Sequence, residues 1–328
     1  MNAVIGGSDV VLKQKFVREV NIMRQRARVL AFFLLVTIGV ASPYAQAANI
    51  SVRCDKRESL SKALRLLATA NPQGPNTVSV VGHCSDNILI QSMDRLTLIG
   101  NTGASITDRS GGTSVVVDIE DSRSVTVQGF SINGGSGGLL CGTASVCFLT
   151  NNKIQAAVGD GIAVLTGSTA FLESNVIQNN GASGSTLSDG SQMFSSNDVF
   201  QGNPGEGVDV RGAYLSASNS SFLNNAVGVR AGGSSVLLNG GMITGSGEDG
   251  MVLRGNSTAS FFGPTITGNG GNGVYLEDGS FAGFVSANVT GNQSGLDVDC
   301  APQFPITRFV DRTGGITNCV EPTRSAKP

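Results

Sequence analysis

The sequence contains no tryptophan, three tyrosines and one histidine, and only 14% of its 328 residues are charged. The single histidine, His83, argues against a histidine-dependent catalytic triad, because such a triad needs a base held by a partner. Nine prolines beside 45 glycines fit neither collagen nor proline-rich disorder. Apolar residues make up 40% of the chain. Most of them are aliphatic, which suits strands packed in thin layers.

The first 47 residues have the features of a secretory signal peptide. Three arginines within residues 24–28 precede an apolar run from Val29 to Ala41, and Ala45-Gln46-Ala47 is a small-x-small cleavage signal. The run is too short for a membrane span, although an uncleaved anchor is the alternative. We expect cleavage after Ala47, export to the periplasm or the extracellular space, and no membrane span in the mature chain. The long stretch before Met23 favours Met23 as the true start.

Cleavage at this point makes the chain more acidic. The first 47 residues hold six of the 22 Lys and Arg residues and two of the 24 Asp and Glu residues, which leaves 16 basic and 22 acidic residues and a net charge of −6. Nucleic-acid binding requires a basic surface, so nucleic acid is not expected as a partner. We expect a monomer.

All six cysteines fall in the exported part, and an even count in an exported chain favours disulfides. They cluster as an N-terminal, a middle and a C-terminal pair, which predicts the bridges Cys54–Cys84, Cys141–Cys147 and Cys300–Cys319. Zinc is the competing interpretation. It is disfavoured because the chain has no Cys-x-x-Cys and one histidine.

One short pattern recurs through the exported part about every 22 residues. Segments that end in a turn residue begin at positions 153, 176, 199, 221, 242, 265 and 288. Glycines that precede β-rich runs stand at positions 161, 184, 207, 228, 250, 273 and 295. Two columns that keep the same period over seven units indicate a solenoid.

Each unit has the pattern of three short strands. The alternation after the glycine, as in Gly207–Arg211, is the period of a half-buried strand. So short a unit cannot bury its own apolar face and must stack on its neighbours. The inward positions then form an apolar column of Ile154, Ile177, Phe200, Phe222, Ile243, Ile266 and Val289. A turn column would stack hydrogen-bonded side chains between coils, namely Asn180, Asn203, Asn225, Ser246, Asn269 and Asn292.

These turn and strand motifs, N-x-x-x-G-[IV] with an asparagine column, resemble the repeats of the pectate-lyase-like superfamily. That superfamily contains pectate lyases, polygalacturonases and alginate epimerases. The resemblance covers about Ile88 to Asp299 and implies an all-β fold, a right-handed single-stranded parallel β-helix with coils of about 22 residues. Its motifs specify the fold far better than the activity.

The ends of such a solenoid need caps, because its terminal strands are otherwise unpaired. Glu58–Ala70 has the apolar stripe of an amphipathic helix and resembles the helix that caps the N-terminal end in this superfamily. The predicted organisation is a signal peptide at 1–47 and one domain at 48–328. Within the domain, 48–87 form the N-terminal cap and first coil, 88–299 the coils, and 300–328 a C-terminal cap and tail.

The activities of the resembled families depend on motifs that can be sought in the chain. Polygalacturonases carry clustered aspartates and a Gly-His-Gly, and alginate epimerases an Asp-Pro-His-Asp; both are missing here. Pectate lyases use acidic calcium ligands and an arginine base, a pattern too loose to exclude. The resemblance therefore leaves a lyase open but favours neither of the other two activities.

The outward positions of the strand after each glycine are the candidates for a functional surface. One column is Ala163, Thr186, Asp209, Arg230, Val252, Tyr275 and Asp297. The next is Leu165, Ser188, Arg211, Gly232, Arg254, Glu277 and Asp299. Because stacked strands lie roughly 4.8 Å apart, the substrate-binding candidates should share one face: Asp209, Arg211, Arg230, Arg254, Tyr275 and Glu277.

This predicted face permits two interpretations. In a functional groove, Arg230 or Arg254 would act as a base, and Asp209 or Glu277 would help to hold Ca²⁺. In the alternative, Asp209 beside Arg230 and Arg254 beside Glu277 are opposite charges that decorate an ordinary sheet.

Three functional hypotheses follow. The first is an exported, non-catalytic protein that binds polysaccharide or cell-envelope glycan and needs no cofactor. The second is a polysaccharide lyase or related enzyme acting on uronate-containing glycan, with Ca²⁺ as a candidate cofactor. The third is a structural or adhesive surface protein. Fold alone does not choose among them, because one scaffold hosts many functions.

Overall fold

The computed structural model describes residues 47–293, 296–301, 308–310 and 315–319. The predicted signal peptide, apart from Ala47, and the tail from Glu321 lie outside these ranges. No helix in the described ranges is long and apolar enough to cross a membrane.

Three parallel sheets, here called A, B and C, account for the strands. Sheet A contains β1 (Ala48–Arg53), β2 (Asn76–Val81), β5 (Leu96–Gly100), β8 (Val125–Gln128), β11 (Val146–Thr150), β14 (Thr169–Glu173), β17 (Gln192–Ser196), β20 (Tyr214–Ser218), β23 (Ser235–Asn239), β26 (Thr258–Phe262), β29 (Phe281–Val285) and β32 (Arg308–Val310). Sheet B contains β3 (His83–Ser85), β6 (Ser105–Thr107), β9 (Ser131–Asn133), β12 (Lys153–Gln155), β15 (Val176–Gln178), β18 (Val199–Gln201), β21 (Ser221–Leu223), β24 (Met242–Thr244), β27 (Thr265–Thr267) and β30 (Asn288–Val289). Sheet C contains β4 (Ile88–Gln91), β7 (Val117–Glu120), β10 (Leu139–Gly142), β13 (Ile162–Val164), β16 (Ser185–Ser188), β19 (Glu206–Arg211), β22 (Val227–Gly232), β25 (Met251–Arg254), β28 (Val274–Leu276) and β31 (Val298–Cys300).

The chain winds through the sheets in the order C, A, B, and each strand pairs with the equivalent strand of the next coil. In sheet C, for example, Ile162 pairs with Ser185 and Ser185 with Val208, a step of 23 residues each time. The predicted parallel β-helix with three strands per coil is therefore confirmed.

The core is the stack of inward side chains enclosed by the three sheets. The apolar column predicted for sheet B, from Ile154 to Val289, is buried throughout. Within it the rings of Phe200 and Phe222 stack with centroids 5.3 Å apart, and Phe261 and Phe284 of sheet A stack at 4.6 Å. Each coil buries its apolar residues only against its neighbours, so the stacking of coils provides the hydrophobic stabilisation.

A ladder of asparagines occupies the corner between sheets B and C, as the turn column predicts. The amide oxygen of Asn203 accepts the backbone N–H of Asn180 at 3.0 Å, and Asn225 does the same for Asn203 at 3.0 Å. The ladder continues to Asn292, whose N–H is accepted by Asp297 Oδ1 at 3.1 Å. It is weakened at Ser246, whose buried Oγ has no hydrogen-bond partner.

The other two corners carry ladders of hydrogen-bonded side chains that were not predicted from the sequence. Between sheets C and A, Ser145 Oγ accepts from the N–H of Ser122, and Ser168 Oγ accepts from the N–H of Ser145, both at 3.1 Å. Between sheets A and B, Asn175 Oδ1 accepts from the N–H of Asn152 at 2.9 Å, and Asp198 Oδ1 accepts from that of Asn175 at 2.7 Å. Sharp corners bury backbone N–H groups, and these side chains satisfy them.

The glycine column before sheet C has a packing cause. A Cβ atom at Gly184 would lie 2.6 Å from the carbonyl oxygen of Gly207 in the next coil and 2.9 Å from the Nδ2 of Asn203. The coils approach one another too closely here for any side chain, so glycine is required by contact between coils.

The N-terminal end is covered by α1 (Leu60–Ala70), which follows a short 3₁₀ turn (Cys54–Lys56). Ser59 caps the helix by accepting the N–H of Lys62, and Leu60, Leu64 and Leu67 are buried. The helix begins two residues later than the predicted Glu58.

The three predicted disulfides are confirmed. Cys54–Cys84 ties the 3₁₀ turn to sheet B, Cys141–Cys147 joins sheets C and A within the core, and Cys300–Cys319 links β31 to the C-terminal segment. The described residues contain no free cysteine.

The contribution of the asparagine ladder to stability can be tested by removing one of its residues and by adding another. Replacing Asn203 with alanine removes the acceptor of the buried N–H of Asn180, so Asn203→Ala should lower the free energy of unfolding by about 2 kcal/mol. Ser246→Asn restores the missing rung and should raise it by about 1 kcal/mol. Chemical denaturation of the exported chain measures both changes.

Asn239→Ala is the matched control, because Asn239 is an exposed asparagine at the end of β23. Surface substitutions of this kind change stability by less than about 0.5 kcal/mol. Equal effects of the Asn203 and Asn239 substitutions would show that the ladder is not what stabilises the corner.

Candidate functional site

The candidate residues lie on the outer face of sheet C. In four adjacent strands, β19 to β28, Asp209 pairs in register with Arg230, Arg230 with Val252, and Val252 with Tyr275. In the second column Arg211 is in register with Gly232 and Gly232 with Arg254, and Glu277 follows β28. The structure therefore places all six candidate side chains on one face. They span four adjacent strands, and each strand lies roughly 4.8 Å from the next.

A cluster of two carboxylates and two guanidinium groups forms the centre of this face. Arg211 Nη2 donates a hydrogen bond to Asp209 Oδ2, and Arg230 Nε lies 2.9 Å from Glu206 Oε1. The Arg230 ion pair lacks the alignment of a hydrogen bond. Asp209 is only 2% exposed, whereas the Arg211 side chain is 64% exposed. The acids therefore lie underneath and hold the guanidinium groups towards solvent.

Charge around the cluster fixes the protonation state of Arg211. The hydrogen bond and charge of Asp209 raise the pKa of Arg211, although partial burial opposes them, and the charges of Glu206 and Asp160 add to the rise. Glu206 is held in place by Ser183, whose Oγ donates to Glu206 Oε2 at 2.9 Å. Arg211 is thus a firmly protonated cation, suited to donating hydrogen bonds and unsuited to accepting a proton.

Beyond Arg254 the face becomes acidic. Burial raises the pKa of Tyr275, and the charges of Glu277, Asp299 and Asp249 raise it further. Asp249 accepts the N–H of Asn272 at 2.6 Å, and burial raises its pKa as well. The half-buried Tyr275 ring therefore lies among carboxylates.

The structure corrects the last residue of both predicted columns, because Asp299 belongs to the first column and not to the second. Tyr275 pairs with Asp299, so Asp299 and not Asp297 continues that column. Asp297 is buried and ends the asparagine ladder by accepting from Asn292 and from the N–H of Ile316 at 2.8 Å. The last coil is one residue longer than its predecessor, since Val274 pairs with Val298, and this shifts the alignment.

Asp209 is the register neighbour of Arg230, as predicted, but the two side chains do not form an ion pair with each other. Asp209 is paired with Arg211 of its own strand, and Arg230 with Glu206 of the preceding coil. Within the described ranges no ion pair joins Arg254 to Glu277. Sequence reading missed Glu206, Asp160 and Asp249, although a signal for them exists, because each stands directly before a glycine of the repeat column.

These residues do not fit a calcium ion. Asp209 and Glu277 lie three rungs apart, roughly 14 Å, so they cannot share a cation. Asp209 and Glu206 already carry guanidinium partners. Across the described part of the chain no three His, Cys, Asp or Glu side chains are grouped to hold a metal.

Nearer the N-terminus, Asp118 of β7 lies on the same face. Its Oδ1 is buried without a hydrogen-bond partner, and its register neighbours are Leu89 and Leu140. Burial, together with the charge of Glu120, raises the pKa of Asp118 to about 6.

The architecture agrees with known proteins. Residues 76–227 match the family described as "Right handed beta helix region". Together with the three parallel sheets, this match establishes a right-handed parallel β-helix, a fold that fits the pectate-lyase-like superfamily which the repeats resemble. No curated protein matches the chain by sequence.

Solved structures with the same fold share little sequence with the chain. The A-module of mannuronan C-5 epimerase AlgE6 from Azotobacter vinelandii is 15% identical, over 82% of this chain and 94% of that one, with a TM-score of 0.60. The AlgE4 A-module of that organism is 14% identical over 84% and 89%, with a TM-score of 0.49. An alginate lyase from Paenibacillus sp. str. FPU-7 is 11% identical over 74% and 97%, with a TM-score of 0.42. The likeness concerns the fold alone.

The raised pKa of Asp118 gives a pH-dependent prediction. An unfolded aspartate has a pKa near 3.9, so the folded chain binds the proton more tightly. The carboxyl costs no stability below about pH 4, and its penalty is complete above about pH 6. Because the group is partly solvated, the penalty is about 1 kcal/mol. We expect Asp118→Asn to raise the melting temperature by about 2 °C at pH 7.5 and to leave it unchanged at pH 3.5.

Asp189→Asn, on an exposed turn after β16 of the same sheet, is the control. Melting curves of both variants across this pH range measure the effect. A gain for Asp118→Asn that is the same at pH 3.5 and pH 7.5 would contradict the titration of this carboxyl.

Proposed function

We propose that this chain is an exported protein that binds polysaccharide or cell-envelope glycan without catalysis. The observation that supports this most directly is the central cluster of sheet C, in which buried Asp209 and half-buried Glu206 hold Arg211 and Arg230 in place. Guanidinium groups fixed in this way are preorganised hydrogen-bond donors for sugar oxygens. Tyr275, two rungs from Arg230, supplies an aromatic ring with a polar end.

Export is proposed from two features. The predicted signal peptide supports it, and so do the three disulfides, which persist in oxidising compartments.

The alternative is a lyase acting on uronate-containing polysaccharide. It requires an arginine base. Of the two predicted candidates, Arg230 is ion-paired with Glu206, which leaves Arg254. Near the three arginines stand carboxylates that would repel a polyuronate: Asp160, Glu206, Asp209, Asp249, Glu277 and Asp299. The solved epimerase and lyase structures share the fold, which does not carry their activities to this chain.

Binding measurements on a panel of neutral and uronate-containing glycans test the proposal. Arg254→Ala and Tyr275→Ala should each weaken binding about tenfold, or roughly 1.4 kcal/mol, because each removes an outward group from the face. Lys153→Ala, which removes an exposed cation from sheet B, should leave affinity unchanged. Isothermal titration calorimetry provides the affinities.

The same glycans distinguish non-catalytic binding from the lyase hypothesis and from the structural or adhesive hypothesis. Release of unsaturated uronate, followed by its ultraviolet absorbance with and without Ca²⁺, would contradict the non-catalytic function if Arg230→Ala or Arg254→Ala abolished it. A purely structural or adhesive protein would bind none of the glycans.

A further inference from the structure

A column of aromatic rings runs along the outer face of sheet A, away from the candidate site. Phe148, Phe171 and Phe194 are successive register partners in β11, β14 and β17. Their centroids are 5.0 and 5.1 Å apart and their planes lie within 11° of parallel. Tyr214, whose register partner is Gln192 in a neighbouring outward column, contacts Phe194 edge to face at 5.8 Å.

A groove with a volume of about 310 Å³ follows this column. The aromatic rings form one wall. The opposite wall is the neighbouring outward column, two residues further along each strand, and it is polar: Thr150, Glu173, Ser196 and Ser218. The groove crosses four strands, β11 to β20, and so extends roughly 14 Å along the stacking direction.

Stabilisation of the sheet does not account for the whole arrangement. Stacked aromatic pairs on neighbouring strands do stabilise a sheet, which explains the contacts between rings. It does not explain a groove beside the rings, nor the 37% exposure of Phe171. An exposed apolar strip bordered by polar groups is typical of a binding surface.

The chemistry of the walls indicates the ligand. Glu173 is the one charged residue that lines the groove, and no Lys or Arg lines it. A polyuronate would therefore meet a carboxylate with no cation to balance it, and an acyl chain would leave the hydroxyl wall without partners. A sugar chain has both kinds of surface, since its C–H groups can contact the ring edges while its hydroxyls bond Ser, Thr and Glu173.

We propose that this groove is a second binding site, which takes a neutral oligosaccharide lying across the strands of sheet A. The groove presents an aromatic ring beside a polar side chain on three successive strands, β11, β14 and β17, which suits a polymer of repeating units. It shares no residue with the sheet C cluster, so it does not depend on the function proposed for that face.

Saturation-transfer NMR with the exported chain and neutral cello-, laminari- and malto-oligosaccharides tests the site. We expect at least one of them to bind, with transfer from the Phe ring protons. Phe171→Ala should weaken its binding at least tenfold, and Ser196→Ala should weaken it by a smaller factor. Phe171→Leu keeps most of the apolar volume and separates loss of the ring from loss of packing, because it should weaken binding as much as Phe171→Ala while lowering the melting temperature less.

Leu237→Ala is the matched control, since Leu237 stands in the same column two rungs beyond Phe194 and outside the groove. It should leave affinity unchanged, as should Lys153→Ala on sheet B. Failure of all three neutral series to bind at millimolar concentration would overturn the proposal. So would binding that survives Phe171→Ala, or binding that Arg254→Ala removes while Phe171→Ala does not; this last result would support the sheet C site instead.

Discussion

The structure depends on the satisfaction of backbone N–H groups where the chain turns sharply from one sheet to the next. A coil of about 22 residues turns three times, and each corner buries peptide groups that no strand can pair. Side chains one coil further along accept these hydrogen bonds, for example Ser145, Asn175 and Asn203. A buried N–H without a hydrogen-bond acceptor costs free energy comparable to that of a lost hydrogen bond. The ladders thus set both the period and the stacking register of the coils.

The ladders free the outer faces of the sheets for other chemistry. Stability comes from the inward columns and the corners, so the outward columns need only be compatible with strands. Sheet C uses this freedom for arginines anchored by acids, and sheet A for aromatic rings beside hydroxyls. The outer face of sheet B carries a row of hydrogen-bonded glutamines. Gln178 Nε2 donates to Gln155 Oε1 at 3.0 Å, and Gln201 Nε2 donates to Gln178 Oε1 at 2.8 Å.

The repeat allowed the fold to be predicted because its signals were physical requirements of every coil. Glycines such as Gly184 recur since a Cβ would strike the next coil, and asparagines such as Asn203 recur since the corner needs an acceptor. The serine ladder was missed because serine is also a common turn residue without such a role. The pairing of Arg230 with Glu206 was not predictable, because it joins residues of different columns whose side-chain directions the period does not define.

Changes of residue type along a column of equivalent side chains also indicate which positions the β-helix fold constrains. The inward columns stay buried and largely apolar from coil to coil, because every coil meets the same packing demand. The Phe column of sheet A, by contrast, gives way to Ser216 and Leu237 after three rungs, while the core beneath it continues without a break. A demand for stacking would act on all rungs alike. The fold does not require an abrupt change confined to the outer face, and such a change is what the proposed oligosaccharide, which contacts only a few coils, would account for.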